Sequence, residues 1–315
     1  MEQAEIRMLG PLQVRRADGS VIDQGQWRCS KNVDLVRMLA ADVGRPVPLS
    51  SLVSRLWPDA DEEHAGGSLR TAMSQVRKLL GPESLERRQG ALVLRHAWVD
   101  LQAYAVLLDE AAAARRTQEH ERTVALVREA EALYVGDVDV AESSGSWLHE
   151  LRQHWRERRC QALVDAADAA AALCSMRDSL ELAETAFTLD RHSEQAARSL
   201  MRALAGLGET RRALRVYEKV RRGLAADFGV DPSPQTTAVH LQLVTERAED
   251  VAGAGPLGHL RPVQELAAAL SRARIAQGGV VWLCGPAGSG RDTVTEAACE
   301  RLGLTLRNLN REWLP

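Results

Sequence analysis

The stretch from Val99 to about Arg247 constrains this chain more than any other, because it reads as helix almost throughout. Apolar residues recur at three- and four-residue spacing. The pattern breaks near Thr117, between Gly136 and Gly145, near Asp190, at Gly208 and at Asp231-Pro232-Ser233-Pro234. An echo runs through it: Ser179-Leu180-Glu181-Leu182-Ala183 and Ala213-Leu214-Arg215-Val216-Tyr217 lie 34 residues apart, the period of a stacked helix pair. Two copies are a thin signal alone. With the helical pairs around them they favour a helical-repeat domain over an irregular bundle. Aromatic residues make up only 4% of the chain and hydrophobic ones 45%, so the helices would pack through Ala and Leu.

The first 97 residues alternate short strand and helix signals. Glu5 to Leu9 and Leu12 to Arg15 read as strands split by Gly10-Pro11, and Asp18-Gly19 is a turn signal. Three helical patterns follow, at about Asn32 to Ala41, at Ser50 to Leu56 with Ser50 as its cap, and at Ala65 to Leu80, which stops at Gly81-Pro82. Leu85 to Leu94 reads as a hairpin with Gly90 near its tip.

The third helix carries the most chemistry. In SLRTAMSQVRKLL, residues 68 to 80, Leu69, Ala72, Met73, Val76, Leu79 and Leu80 make one apolar stripe. The other face shows Arg70, Thr71, Ser74, Gln75, Arg77 and Lys78. Short hydrogen-bonding groups between cations can read base edges and hold phosphates in a major groove, although a solvated helix face looks much the same. The hairpin adds Arg87 and Arg88, placed to reach a backbone or minor groove. From 68 to 95 there are six basic residues and two acidic. The chain as a whole has a net charge of −3, so DNA binding would need such a local basic face. Just upstream, Asp59, Asp61, Glu62 and Glu63 form an acidic run, read as a loop before the helix.

Residues 1 to about 97 resemble the OmpR-type winged helix. The likeness rests on the strands around LGPLQV, the LWPDA step, the helix end SQVRKLLG and the hairpin LERRQGALVLR. Residues 99 to about 247 look like the bacterial transcriptional activation domain, through VDLQAYAVLLDEA and RRALRVYEKVRRGLAADFGVDPSPQT. In this order the pair is similar to the actinobacterial antibiotic regulatory protein (SARP) family. Two positions depart from the pattern: Ala91 stands where an aromatic is usual, and Gly66-Gly67 fall where the recognition helix often continues, which would start that helix late, near Ser68.

The resemblance implies a mainly α chain. A winged helix-turn-helix with a small sheet and hairpin wing spans 1–97, and a TPR-like helical repeat domain spans 98–248. A partial α/β segment fills 249–315, as a linker and the truncated or degenerate start of a P-loop NTPase. It also implies a DNA-binding activator of a biosynthetic gene cluster that binds direct repeats and recruits RNA polymerase, its sigma and other subunits. Arg77 and Lys78 then match phosphate-contacting positions. Arg70, Thr71, Ser74 and Gln75 would read bases, with Arg87 and Arg88 as wing contacts. The run Asp59, Asp61, Glu62, Glu63 would face polymerase, and the helical domain would dimerise on DNA or contact polymerase.

The rival reading is a nucleotide-dependent switch or ATPase, from GPAGSGRDT at 285 to 293 after the apolar run Val280 to Cys284. Gly285 and Gly290 have phosphate-loop spacing, but Arg291 replaces the Lys and Asp292 the hydroxyl that holds magnesium. The loop is therefore expected to be inert and the protein not an enzyme, with no cofactor. His149, His154, Trp147 and Trp155 share one helix and read as packing rather than a metal site. The five cysteines include no CxxC pair and read as buried free thiols of a reducing cytoplasm. A cytoplasmic protein without membrane contact is expected, since no apolar run reaches the ~18 residues of a span and the N-terminus is too polar for a signal peptide.

Overall fold

The computed structural model describes residues 3–140, 146–253, 260–275 and 291–304, with side chains there except at 62, 246–253, 260–262, 272–275 and 291–293. Residues 1–239 form one compact unit and residues 240–315 another.

The chain begins with β1 (Ala4–Arg7) and β2 (Gln13–Arg15). Alternation in β1 buries Ala4 and Ile6 while Arg7 stays out, the signature of a strand with one dry face. Gly10, between the two strands, has a φ of +121°. A Cβ added there would stand 3.4 Å from that of Val135, so only glycine combines this backbone with this approach. Then come α1 (Ser30–Ala41), β3 (Val47–Pro48), α2 (Leu49–Leu56) and α3 (Glu62–Leu80). The hairpin β4 (Leu85–Arg88) and β5 (Ala91–Leu94) follows, and then β6 (Ala97–Val99).

Two small sheets result, in the orders β2-β1-β6 and β3-β5-β4. β1 runs antiparallel to β2, with Ile6 opposite Val14, and parallel to β6, with Ile6 opposite Val99. β6 has no counterpart in the sequence reading. Ser50 is not the cap of α2, which begins a residue earlier after Pro48 and has no side-chain cap.

The helical stretch consists of α4 (Asp100–Arg116), α5 (His120–Leu133), α6 (Ser146–Ala172), α7 (Met176–Leu189), α8 (Glu194–Gly206) and α9 (Thr210–Asp227), followed by α10 (Pro234–Gly253). Each of α4 to α9 packs on the next, and α4, α6 and α8 also touch in turn, the arrangement of stacked helix pairs. The 34-residue echo falls on matching positions. Ser179, Leu182, Ala183 and Ala186 of α7 are buried, as are Ala213, Val216, Tyr217 and Val220 of α9.

The helix ends repeat as well. Glu119, Ser175 and Glu209 donate their backbone N–H to the carbonyls of Ala114, Ala170 and Leu204. In each case the preceding residue is left-handed: Gln118, Cys174 and Gly208, with φ of 58°, 59° and 77°. A left-handed residue after the last turn lets the chain satisfy carbonyls the helix leaves open. The break at Cys174 had no glycine or proline to announce it.

One hydrophobic core runs through both regions. It includes Ile6, Leu35, Leu39, Leu52, Val76 and Leu92, and continues through Tyr104 and Leu148 to Trp155. A polar anchor crosses the same junction. Asp100, 3% exposed, accepts the backbone N–H of Met8 at 2.8 Å, of Leu9 at 2.9 Å and of Leu101 at 2.6 Å. Burial pushes its carboxyl above the usual range, against the pull of those donors.

In the second unit, α11 (Leu260–Ile275) packs on α12 (Arg291–Arg301) through Leu266, Ala267, Val294 and Ala298. Two of the described cysteines, Cys160 and Cys299, are buried, but Cys29 and Cys174 are exposed, which corrects the expectation of uniformly buried thiols. Both exposed ones sit in tight links beside helix ends, where a small side chain is placed by the backbone rather than by the core. Among the described residues, no helix is long and apolar enough to cross a membrane.

Candidate nucleic-acid interface

Helix α3 starts at Glu62, earlier than either start read from the sequence. Asp61 is its N-cap: its carboxylate accepts the His64 backbone N–H at 2.9 Å and lies 2.7 Å from His64 Nδ1. The hydrogen bonds from His64 hold the Asp61 carboxyl below its usual range. A capped first turn with Ala65 fully buried offsets the cost of Gly66 and Gly67, about 1 kcal/mol each against Ala. Of the acidic run, then, only Asp59 lies in the loop. Asp61 caps the helix, and Glu62 and Glu63 belong to its first turn, where the Glu63 carboxylate complements the helix dipole.

The apolar stripe behaves as its spacing requires. Leu69, Ala72, Met73 and Val76 are buried, with Leu79 and Leu80 packed against the same core. This fixes the rotation of α3 and turns Arg70, Thr71, Ser74 and Lys78 to solvent, with Gln75 half-buried beside them. Thr71 Oγ1 donates to the Gly67 carbonyl at 3.2 Å. Arg77 differs from its neighbours. It is half-buried and donates to the Leu85 carbonyl at 3.0 Å, tying α3 to the hairpin.

The hairpin turns through Gln89 and Gly90, both with positive φ, at 40° and 79°, as tight hairpins require. The Gly90 carbonyl accepts the Leu49 N–H at 2.9 Å, so the tip is tied to the start of α2. Arg87 is exposed and makes no ion pair with a described carboxylate. Arg88 pairs with Glu86 at 2.5 Å, and Arg95 holds the other oxygen of the same carboxylate at 2.7 Å. Of the cations counted between 68 and 95, Arg70, Lys78 and Arg87 are therefore free of described carboxylates, and the rest are engaged within the fold.

A cleft of about 850 Å³ runs along the same face of α3. Arg70, Thr71 and Gln75 line one side, and Arg28 and Lys31, at the start of α1, line the other. Nothing in the sequence singles these two cations out: they stand alone in a polar link, and only the fold sets them beside α3.

The remaining sequence candidates are elsewhere. Trp147 and Trp155 are buried and His149 and His154 exposed on α6. Among the described residues no cluster of His, Cys, Asp or Glu could hold a metal. Gly285, Gly290 and the expected strand before them lie outside the described residues. Arg291 opens α12, and its side chain lies outside them too.

Residues 99–244 match the bacterial transcriptional activator domain. The chain is 28% identical over 214 residues to the regulatory protein AfsR of Streptomyces griseus, covering 67% of this chain and 22% of AfsR. It is 23% identical over 252 residues to the transcriptional regulator RedD of Streptomyces coelicolor, covering 77% of this chain and 71% of RedD. The chain thus spans less than a quarter of the AfsR relatives. Among solved structures, Mycobacterium tuberculosis EmbR, in complex with a low affinity phosphopeptide, shares the fold with a TM-score of 0.68 at 20% identity, over 87% of this chain and 72% of EmbR.

Proposed function

We propose that this chain, a transcriptional regulator of the SARP type whose residues 99–244 form a bacterial transcriptional activator domain, binds specific duplex DNA and activates a biosynthetic gene cluster. The observation that carries the reading is the outer face of α3. A buried stripe fixes its rotation, and Arg70, Thr71, Ser74, Gln75 and Lys78 stand on it; Arg87 of the wing is exposed as well. Side chains of this kind on a rigid helix suit a major groove.

In this reading Thr71, Ser74 and Gln75, with Arg70, read base edges, while Lys78 and Arg87 hold phosphates. Arg77 serves the wing's attachment, and Arg88 contributes less than its charge suggests. Asp59, in the loop before α3, and Glu63, in its first turn, are the side for RNA polymerase. Paired protomers would occupy direct repeats. Residues 1–97 act as the DNA-binding domain and 98–248 as the activating one.

Binding to duplexes selected from a random pool tests this. Gln75→Ala should relax sequence preference, with about 1–3 kcal/mol of discrimination lost at one base position. Lys78→Ala should weaken binding to all duplexes alike and lower the salt slope by about one. Wild type and both variants binding every duplex equally at moderate salt would sink the reading.

A further inference from the structure

Arg28 and Lys31 line the cleft that α3 borders, yet neither belongs to the helix-turn-helix or the wing. The link that carries them is rigid. Trp27, 5% exposed, and Asn32, 3% exposed, anchor it on either side. Asn32 Nδ2 donates to the Trp27 carbonyl at 2.6 Å, and the Cys29 N–H donates to the same carbonyl at 2.7 Å. Arg28 is exposed, on a backbone with φ of 60°, and Lys31, one turn on, is half-buried and lines the cleft.

Their charges are also available. Neither makes an ion pair with a described carboxylate. The acid whose field Lys31 feels, Asp34, is 6% exposed and held by Arg37 at 3.5 Å. Glu63 is the carboxylate of the cleft lining, and Arg28, Lys31 and Arg70 outnumber it. Arg28 and Lys31, in the same open cleft as the base-reading side chains of α3, suit an anion: long cationic side chains without fixed acceptors contact phosphate without regard to sequence.

We propose that Arg28 and Lys31 form a phosphate clamp. It would grip the DNA backbone beside the groove that α3 enters, across the cleft from the base-reading side chains of α3. The clamp rests on the reading of α3 as the DNA-binding helix and adds a backbone contact from outside the helix-turn-helix. It sets register and affinity and carries no sequence information.

The test compares wild type with Arg28→Gln/Lys31→Gln in the full chain. Glutamine keeps bulk and polarity, and an unchanged melting temperature confirms the fold. The probes are a duplex selected by wild type from a random pool and a scrambled duplex of the same composition, titrated across salt. The clamp requires the slope of log K against log salt to fall by about two, with the same fold-loss on both duplexes. A double variant with wild-type slope and affinity overturns the clamp, while the α3 reading stands if Gln75→Ala still shifts sequence preference. Loss confined to the selected duplex also overturns it, because the pair would then read bases. Wild type that retains neither duplex overturns the α3 reading and the clamp with it.

Discussion

The helical region and the winged-helix face put arginine to opposite uses. Between α4 and α9 several guanidinium groups reach across to other helices: Arg159 to Glu131 at 2.6 Å, Arg158 to Asp109 at 2.5 Å, Arg115 to Asp165 at 2.8 Å and Arg212 to Glu184 at 2.8 Å. Arg159 also lies over the Tyr134 ring, 3.6 Å from its centroid. On α3, the wing and the lead-in to α1, Arg70, Lys78, Arg87, Arg28 and Lys31 have no such described partner. The near-neutral net charge of the chain hides this division. Cations with a carboxylate in the fold serve stability, and those without one keep a field that a phosphate can use.

The largest expected effect comes from removing what the two regions share. Asp100→Ala leaves the N–H groups of Met8 and Leu9 buried without their acceptor, next to a core common to both regions. Some of the loss returns, because the buried carboxylate itself was costly. A net destabilisation of about 3 kcal/mol is expected. Denaturant unfolding should show one transition at a lower midpoint. Two separated transitions would mean that the regions are independent bodies and that the shared core does not couple them.

A smaller effect separates the two kinds of cation. Arg159, with its side chain 16% exposed, binds both oxygens of Glu131, 23% exposed. Arg159→Ala should cost about 2 kcal/mol, less than for a fully buried pair because solvent reaches both partners. DNA affinity and its salt slope should not change. A lowered slope with unchanged stability would place Arg159 among the DNA-facing cations and erase the division.

What the sequence reveals follows the same line between local and distant causes. The stripe Leu69 to Leu80, the hairpin around Gly90 and the 34-residue echo are set by neighbours in the chain, and spacing shows them. β6 escapes because three residues carry little pattern and its partner is β1, some ninety positions away. The start of α3 is misread because two glycines outweigh, locally, a cap and a buried Ala65 that only the fold rewards. The site is half legible. Which side chains face out on α3 follows from periodicity. That Arg77 is held by Leu85, that Arg95 joins Arg88 on Glu86, and that Arg28 and Lys31 stand across the cleft depend on the tertiary fold.

The smallest effect lies where the comparison runs through one residue. Glu86 makes the wing behave like the helical region, because it takes up Arg88 and Arg95 together. The hydrogen bond from Arg88, and then that from Arg95, holds its carboxyl below the usual range. A depressed pKa means that the group stays ionised as pH falls into the ordinary carboxylate range, so the pairing persists there. Glu86→Gln removes a negative charge beside the DNA face and releases both cations. Melting should not shift measurably, since the group is exposed to solvent. Binding to every duplex should tighten modestly, with a salt slope steeper by about one as Arg88 becomes available. The partner variant decides whether the pairing is the cause. Arg88→Ala should do little in the wild-type background, where Glu86 already occupies it, and should cancel the gain when combined with Glu86→Gln. If Arg88→Ala lowers the slope equally in both backgrounds, the surface pair is too weak in solution to withhold the cation, and the wing belongs wholly with α3.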